Sequence, residues 1–189
     1  MKTGDFARQL RKVGSLVYGY VIYRKRFTYA EACVKLNTPF KMSAYQSRWC
    51  KYRENEPNNM NRLSPEEVWS DKMLDPKTGK HWDDCDGYAA MAIDPLTRAG
   101  YKCALLHISN DMEAHATCVI ETEKQRMTIC TYGLWCHGSA SDVLLQDIAE
   151  DFLTNVNHFS LMDRNWKPMI EAHKVADEWE ITDLQEVKE

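Results

Sequence analysis

The sequence predicts a single α+β domain, a helix packed on an antiparallel sheet with helical additions at both ends. Three observations carry that expectation. A helix-like periodicity starts at Cys85, where Tyr88, Ala89, Ala92, Ile93 and Leu96 fall on one face. Three β-like runs follow it with only short polar connections, at residues 101–110, 115–121 and 126–133. A helix followed by consecutive strands points to an antiparallel sheet, and a chain of 189 residues is close to the usual size of one domain.

Taken in order, the most apolar segment is VGSLVYGYVIY, residues 13–23, bounded by Arg8, Arg11 and Lys12 before it and Arg24, Lys25 and Arg26 after it. It is about half the length needed to cross a bilayer and lacks a small-residue cleavage site, so the sequence predicts neither a transmembrane segment nor a signal peptide. The Asn- and Pro-rich stretch ENEPNNMNRLSPEE, residues 54–67, reads as a loop ending in a helix start. There Ser64 is the N-cap, Pro65 the first helical residue, and Glu66 and Glu67 the first turn of a helix running to about Leu74. DPKTGK, residues 75–80, reads as a turn. Pro95 is expected to kink or interrupt the helix that starts at Cys85, and Gly100 to stop it.

The alternation in HATCVIE, residues 115–121, sets His115, Thr117, Val119 and Glu121 on one face, with Ala116, Cys118 and Ile120 on the other. Beyond the strands, SDVLLQDIAEDFL (141–153) opens on a Ser N-cap and shows a buried stripe at Val143, Leu144, Ile148 and Phe152. The expectation for residues 141–189 is therefore a helical extension, its acidic tail from about Ala176 less clearly periodic and mobile in part.

A composition of 44% hydrophobic and 28% charged residues with a net charge of −4 suits an ordinary globular domain. It gives no reason to expect a nucleic acid or an acidic membrane surface as partner. Seven cysteines without a CxxC pair, and no signal segment, predict reduced thiols and a cytoplasmic chain.

"WDDCDGYAAMA" carries the chemistry. A thiol at a helix N-terminus meets about half a positive charge and free backbone N–H groups, which favour a thiolate and can hold an oxyanion. Asp84 and Asp86 oppose the thiolate but are good N-terminal capping residues. An imidazole to accept the proton can come from His115, which opens a later strand. A hairpin turning at residues 122–126 with Glu121 opposite Met127 would set Thr117 opposite Thr131 and bring His115 and Thr131 onto one face. A slip of one residue would put Tyr132 there instead.

In this order, SPEE (64–67), DCDGYA (84–89), RAGYKC (98–103) and HATCVI (115–120) resemble the transglutaminase-like cysteine peptidase superfamily, its bacterial and phage-type branch above all, over residues 60–133. The resemblance implies a papain-like thiol site with Cys85 as nucleophile and His115 as general base. It also implies an acyl-enzyme formed on a protein or peptide amide, by a peptidase, deamidase or transglutaminase, with no metal or other cofactor. The family's acidic third residue would fall within residues 130–132, where Cys-Thr-Tyr stands. Thr131 takes that role in the expected triad, with Asp111 or Asp142 as substitutes. Trp82 and Trp69 are candidate oxyanion donors. The alternative is a transglutaminase-like module with an incomplete triad that binds a partner protein. Zinc is the rival chemistry, through Cys103 with His107, His115 with Cys118, or Cys130 with Cys136 and His137, none of which has the paired spacing of a zinc module.

Overall fold

The computed structural model describes residues 3–53 and 62–184, with side chains from residue 12 onward. Most of the loop expected at 54–67, and the last five residues of the tail, lie outside the described residues. Helices α1 (Thr3–Ile22), α2 (Tyr29–Lys35) and α3 (Pro39–Trp49) lead into a short strand β1 (Cys50–Tyr52). Next come α4 (Pro65–Val68), a 3₁₀ turn at Asp71–Met73, and β2 (His81–Asp83), which pairs with β1 in parallel. Helix α5 (Cys85–Arg98) precedes strands β3 (Lys102–Ser109), β4 (Ala114–Glu121), β5 (Arg126–Cys130) and β6 (Gly133–Gly138). The chain ends with α6 (Leu145–Phe152), β7 (His158–Met162), β8 (Pro168–Val175) and β9 (Glu178–Asp183). The seven strands β6-β5-β4-β3-β7-β8-β9 form one antiparallel sheet, so the α+β class with an antiparallel sheet holds.

Side-chain alternation divides the sheet into two faces. Leu105, Ala116, Cys118, Ile120, Met127 and Ile129 pack into one core with α5 and the N-terminal helices. Leu106, Ile108, Val119, Phe159 and Ala172 pack into a second core with Ile148 and Ala149 of α6. The sheet is therefore covered on both sides, and every position of β4 from His115 to Ile120 is buried.

Local chemistry explains why α5 begins and ends where it does. The Asp84 carboxylate accepts the Asp86 N–H at 3.0 Å as N-cap, the role expected of the acidic flank. Pro95, expected to interrupt this helix, lies within it. It has no N–H to give the Met91 carbonyl, and the Trp69 indole N–H donates to that carbonyl instead, at 3.1 Å. Trp69→Phe removes this donor and leaves a buried carbonyl unpaired; a loss of about 2 kcal/mol is expected in a urea titration. Gly100, with φ +92°, follows the last helical turn.

Two other helical expectations are corrected. Ser64 and Glu67 do form a reciprocal cap, but the α-helix stops at Val68 and a separate 3₁₀ turn covers Asp71–Met73. The C-terminal extension is not helical beyond Phe152. Helix α6 is capped at Leu144, whose N–H donates to Asp147, rather than at Ser141, and three strands follow. The β8–β9 hairpin turns at Ala176 and Asp177, both at positive φ (49° and 68°), with no Gly or Asn to announce the turn. Residues 178–183 are strand rather than part of a helical extension.

Candidate thiol site

The β4–β5 register decides what faces His115. Thr122 and Gln125 close the hairpin, with the Thr122 N–H donating to the Gln125 carbonyl at 2.9 Å, so the turn is one residue shorter than the sequence suggests. Glu121 consequently pairs with Arg126 rather than Met127, and Cys118 with Ile129. Continued by two and three positions, this register sets Thr131 against Ala116 and Tyr132 against His115. The His115 imidazole stacks on Tyr132 (5.1 Å between ring centroids, 23°) and on Phe152 of α6 (4.9 Å, 27°). Thr131 does not accompany His115. It lines a cavity of about 240 Å³ with Ser43, Gln46, Tyr88 and Cys130 on the N-terminal helix side.

Cys85 occupies the first turn of the 14-residue helix α5, which packs on β3, β4 and β5. Ladder pairing between β4 and β5 ends at Cys118–Ile129, and just beyond it the Ala116 backbone N–H lies near enough to the Cys85 thiol to favour its thiolate. Cys85 therefore meets β4 one peptide away from His115. The two side chains lie on opposite faces of the sheet, Cys85 on the α5 face with Ala116 and His115 on the α6 face with Phe152, and they share no hydrogen bond: the thiol contacts Asp86 Oδ1 at 3.8 Å, and His115 Nε2 is buried without a partner. His115 is 6% exposed, so this orphaned nitrogen is well sealed from solvent.

The other expected contributors fall elsewhere. Asp111 accepts from Asn157 Nδ2 at 2.6 Å and Asp142 from the Ser141 hydroxyl at 2.7 Å, so neither orients His115. Trp69 is committed to Met91, and the Trp82 ring is covered by the Arg53 guanidinium at 4.1 Å. Alternation puts His115 and Cys118 on opposite faces of β4, which separates that proposed zinc pair. Among the described residues, the side chains able to share an ion are Asp84, Cys85 and Asp86, within 4.8 Å of one another.

The sequence offered His107 only as a partner of Cys103 for zinc and Phe152 only as a helix-stripe residue, and did not point to the Ala116 N–H. His107 pairs in register with Ala116 and, by alternation with Leu105, shares the α5 face. Its Nδ1 is also buried and unpartnered. Burial first, then the positive charge of Arg62, holds His107 down at about 4, the same level as His115. The strand alternation of LLHIS was the available signal.

Electrostatics set a resting state without charge separation. Burial, then Asp86 and Asp84, pushes the Cys85 thiol up to about 12, against the opposing pull of the Ala116 N–H. Burial, then His107, holds His115 down at about 4. The proton is on sulfur at neutral pH. Alkylation of Cys85 by iodoacetamide is therefore expected to accelerate about tenfold per pH unit from pH 7 to pH 10. A plateau between pH 5 and pH 8 would instead reveal a preformed thiolate–imidazolium pair.

Stability should follow the same groups. His81, His107 and His115 are each lowered to about 4, chiefly by burial, so between that value and 6.5 the unfolded chain takes up protons that the folded chain refuses. Their stabilisation is complete above pH 6.5 and is lost as the pH falls. Asp86, raised to about 6 by burial and Asp84, acts oppositely and offsets one of the three protons. Two net protons predict a decline of about 3 kcal/mol per pH unit between pH 6 and pH 4, measurable by urea unfolding. A flat profile there would refute these protonation states.

Comparison with protein-family models, curated proteins and solved structures finds no match.

Proposed function

We propose that this protein is a thiol-dependent hydrolase or acyl transferase acting on amide bonds of proteins or peptides, of the transglutaminase-like type. One observation carries the proposal: a cysteine thiol in the first turn of a helix lies beside the Ala116 N–H, and the next residue along β4 is a buried imidazole whose Nε2 has no partner. A buried polar atom left unpaired calls for an explanation, and a proton-accepting role supplies one.

In the reaction, the His115 ring turns off Phe152 to the α5 side at the end of β4, where pairing with β5 has stopped, and accepts the thiol proton as the Cys85 sulfur bonds to the amide carbonyl carbon. The Cys85 and Ala116 N–H groups are the candidate donors to the developing oxyanion. The C–N bond then breaks, and the imidazolium returns its proton to the leaving amine or ammonia. Water, or a second amine, attacks the thioester and frees the thiol. The absent carboxylate is offset by the Tyr132 ring, whose face stabilises an imidazolium by about 1–2 kcal/mol in a desolvated site.

The test is incubation of wild type and Cys85→Ala with a glutamine- and asparagine-rich peptide mixture. Mass spectrometry reads new N-termini, deamidation, or incorporation of an added primary amine. Any one of these from wild type and none from the variant supports the proposal. A second reading, a binding module with an inactive site, is favoured by one observation: neither ring nitrogen of His115 is hydrogen-bonded to any described residue. Folded wild-type protein inert in all three assays would establish it over the enzyme.

A further inference from the structure

We propose that the outer face of α1 docks on an anionic lipid bilayer surface, a role independent of the thiol site. Helix α1 is inverted relative to an ordinary surface helix. Its inner face carries Ser15 and Gly19, with Gly19 so close to the Ala44 carbonyl that a Cβ there would overlap it. Its outer face carries Val13, Leu16, Val17, Tyr20 and Val21, at i, i+3, i+4, i+7 and i+8, each between 45% and 59% exposed. The most apolar stretch of the chain thus turns its larger aliphatic side chains to solvent.

Charge segregation identifies the occupant. Residues 1–27 hold seven Lys and Arg against one acid, Asp5, a net of +6. The whole chain is −4, so the remainder holds −10. The whole-chain sum concealed this asymmetry, and with it the membrane surface that the composition gave no reason to expect. Lys12 and Arg24, just before and after the stripe, are exposed, and the Arg48 guanidinium lies 4.5 Å from the Tyr20 ring centroid. An apolar stripe with cations at both ends and an aromatic ring at its rim matches the headgroup boundary of an acidic bilayer, where the helix lies in the plane. The acidic remainder is repelled by the same surface, so the molecule approaches α1 first. A symmetric α1-to-α1 pairing of two copies would set +6 against +6. Among the described residues no helix is long and apolar enough to cross a membrane.

The full chain should co-sediment with phosphatidylcholine vesicles containing about a third phosphatidylglycerol, and poorly with pure phosphatidylcholine. Raising NaCl from about 0.1 M to 1 M should release most of it. Val17→Asp with Val21→Asp should weaken binding at least tenfold. Ile181→Asp, at an exposed apolar residue on β9, should leave it unchanged. Circular dichroism confirms that each variant is folded, and Arg24→Glu supplies a milder charge variant that should also weaken binding. The proposal is overturned if wild type ignores anionic vesicles or if the double variant binds as well as wild type. A dimer in light scattering that the double variant dissolves would also overturn it, because a second copy would then cover the stripe.

Discussion

Gly87→Ala is expected to destabilise the protein by about 3 kcal/mol, lowering its melting temperature by roughly 10 °C, and to abolish thiol chemistry in the fraction that remains folded. Gly87 is in the first turn of α5, two residues after Cys85, where a Cβ would overlap the Asp83 carboxylate. Asp83 cannot retreat easily. It is the last residue of β2, paired with Tyr52, and its Oδ1 accepts the Asp84 N–H at 2.9 Å. The missing side chain thus lets the β2 end and the α5 start meet closely enough to seat Cys85 against β4. Gly14→Ala is the control. Its Cβ would meet only Phe40, at 4.0 Å, and alanine should be neutral or stabilise α1 by up to about 1 kcal/mol. Equal behaviour of the two variants, by thermal unfolding, would mean that Gly87 packing is unimportant.

His115→Ala is expected to lower the rate of acyl-enzyme formation by about 10²- to 10⁴-fold, the usual contribution of a positioned base. His115→Gln, which keeps most of the volume, should fall equally, separating the lost proton acceptor from any packing defect. His107→Gln should retain activity within about tenfold, because the proton transfer is assigned to His115. Phe152→Leu tests the stacking argument. Phe152 is a positioning residue that holds the imidazole on the α6 face, so losing its ring should raise kcat more than it changes KM. If His107→Gln rather than His115→Gln silences the protein, the base has been assigned to the wrong strand.

Much of the local structure around Cys85 was legible because it depends on short-range chemistry. Capping at Ser64 and Asp84, the helix opening at Cys85, the Gly100 stop and the β4 alternation all follow from neighbouring residues. What depended on counting across a turn was not. EKQ offers no glycine to mark the β4–β5 turn, and one residue of difference exchanged Thr131 for Tyr132 beside His115. Tertiary substitution hid a second feature: Pro95 reads as a helix breaker until Trp69, 26 positions earlier, supplies the missing donor. Strands β7, β8 and β9 were missed because their hairpin turns on Ala176 and Asp177, residues that carry no strong turn signal. Phe152 read as a helix-stripe residue, and it became part of the site only when α6 folded onto the far face of the sheet.

The most direct test of the Cys85–His115 assignment is site-mapped labelling by a peptide acyloxymethyl ketone at neutral pH, with adducts located by tandem mass spectrometry in wild type, Cys85→Ala and His115→Gln. This electrophile presents a carbonyl to the candidate oxyanion donors and needs a thiol activated within the site. The predicted result is an adduct on Cys85, absent from Cys85→Ala and at least about a hundredfold slower in His115→Gln. Labelling of Cys85 that is indifferent to His115, or adducts that fall instead on the partly buried Cys103 and Cys136, would contradict it.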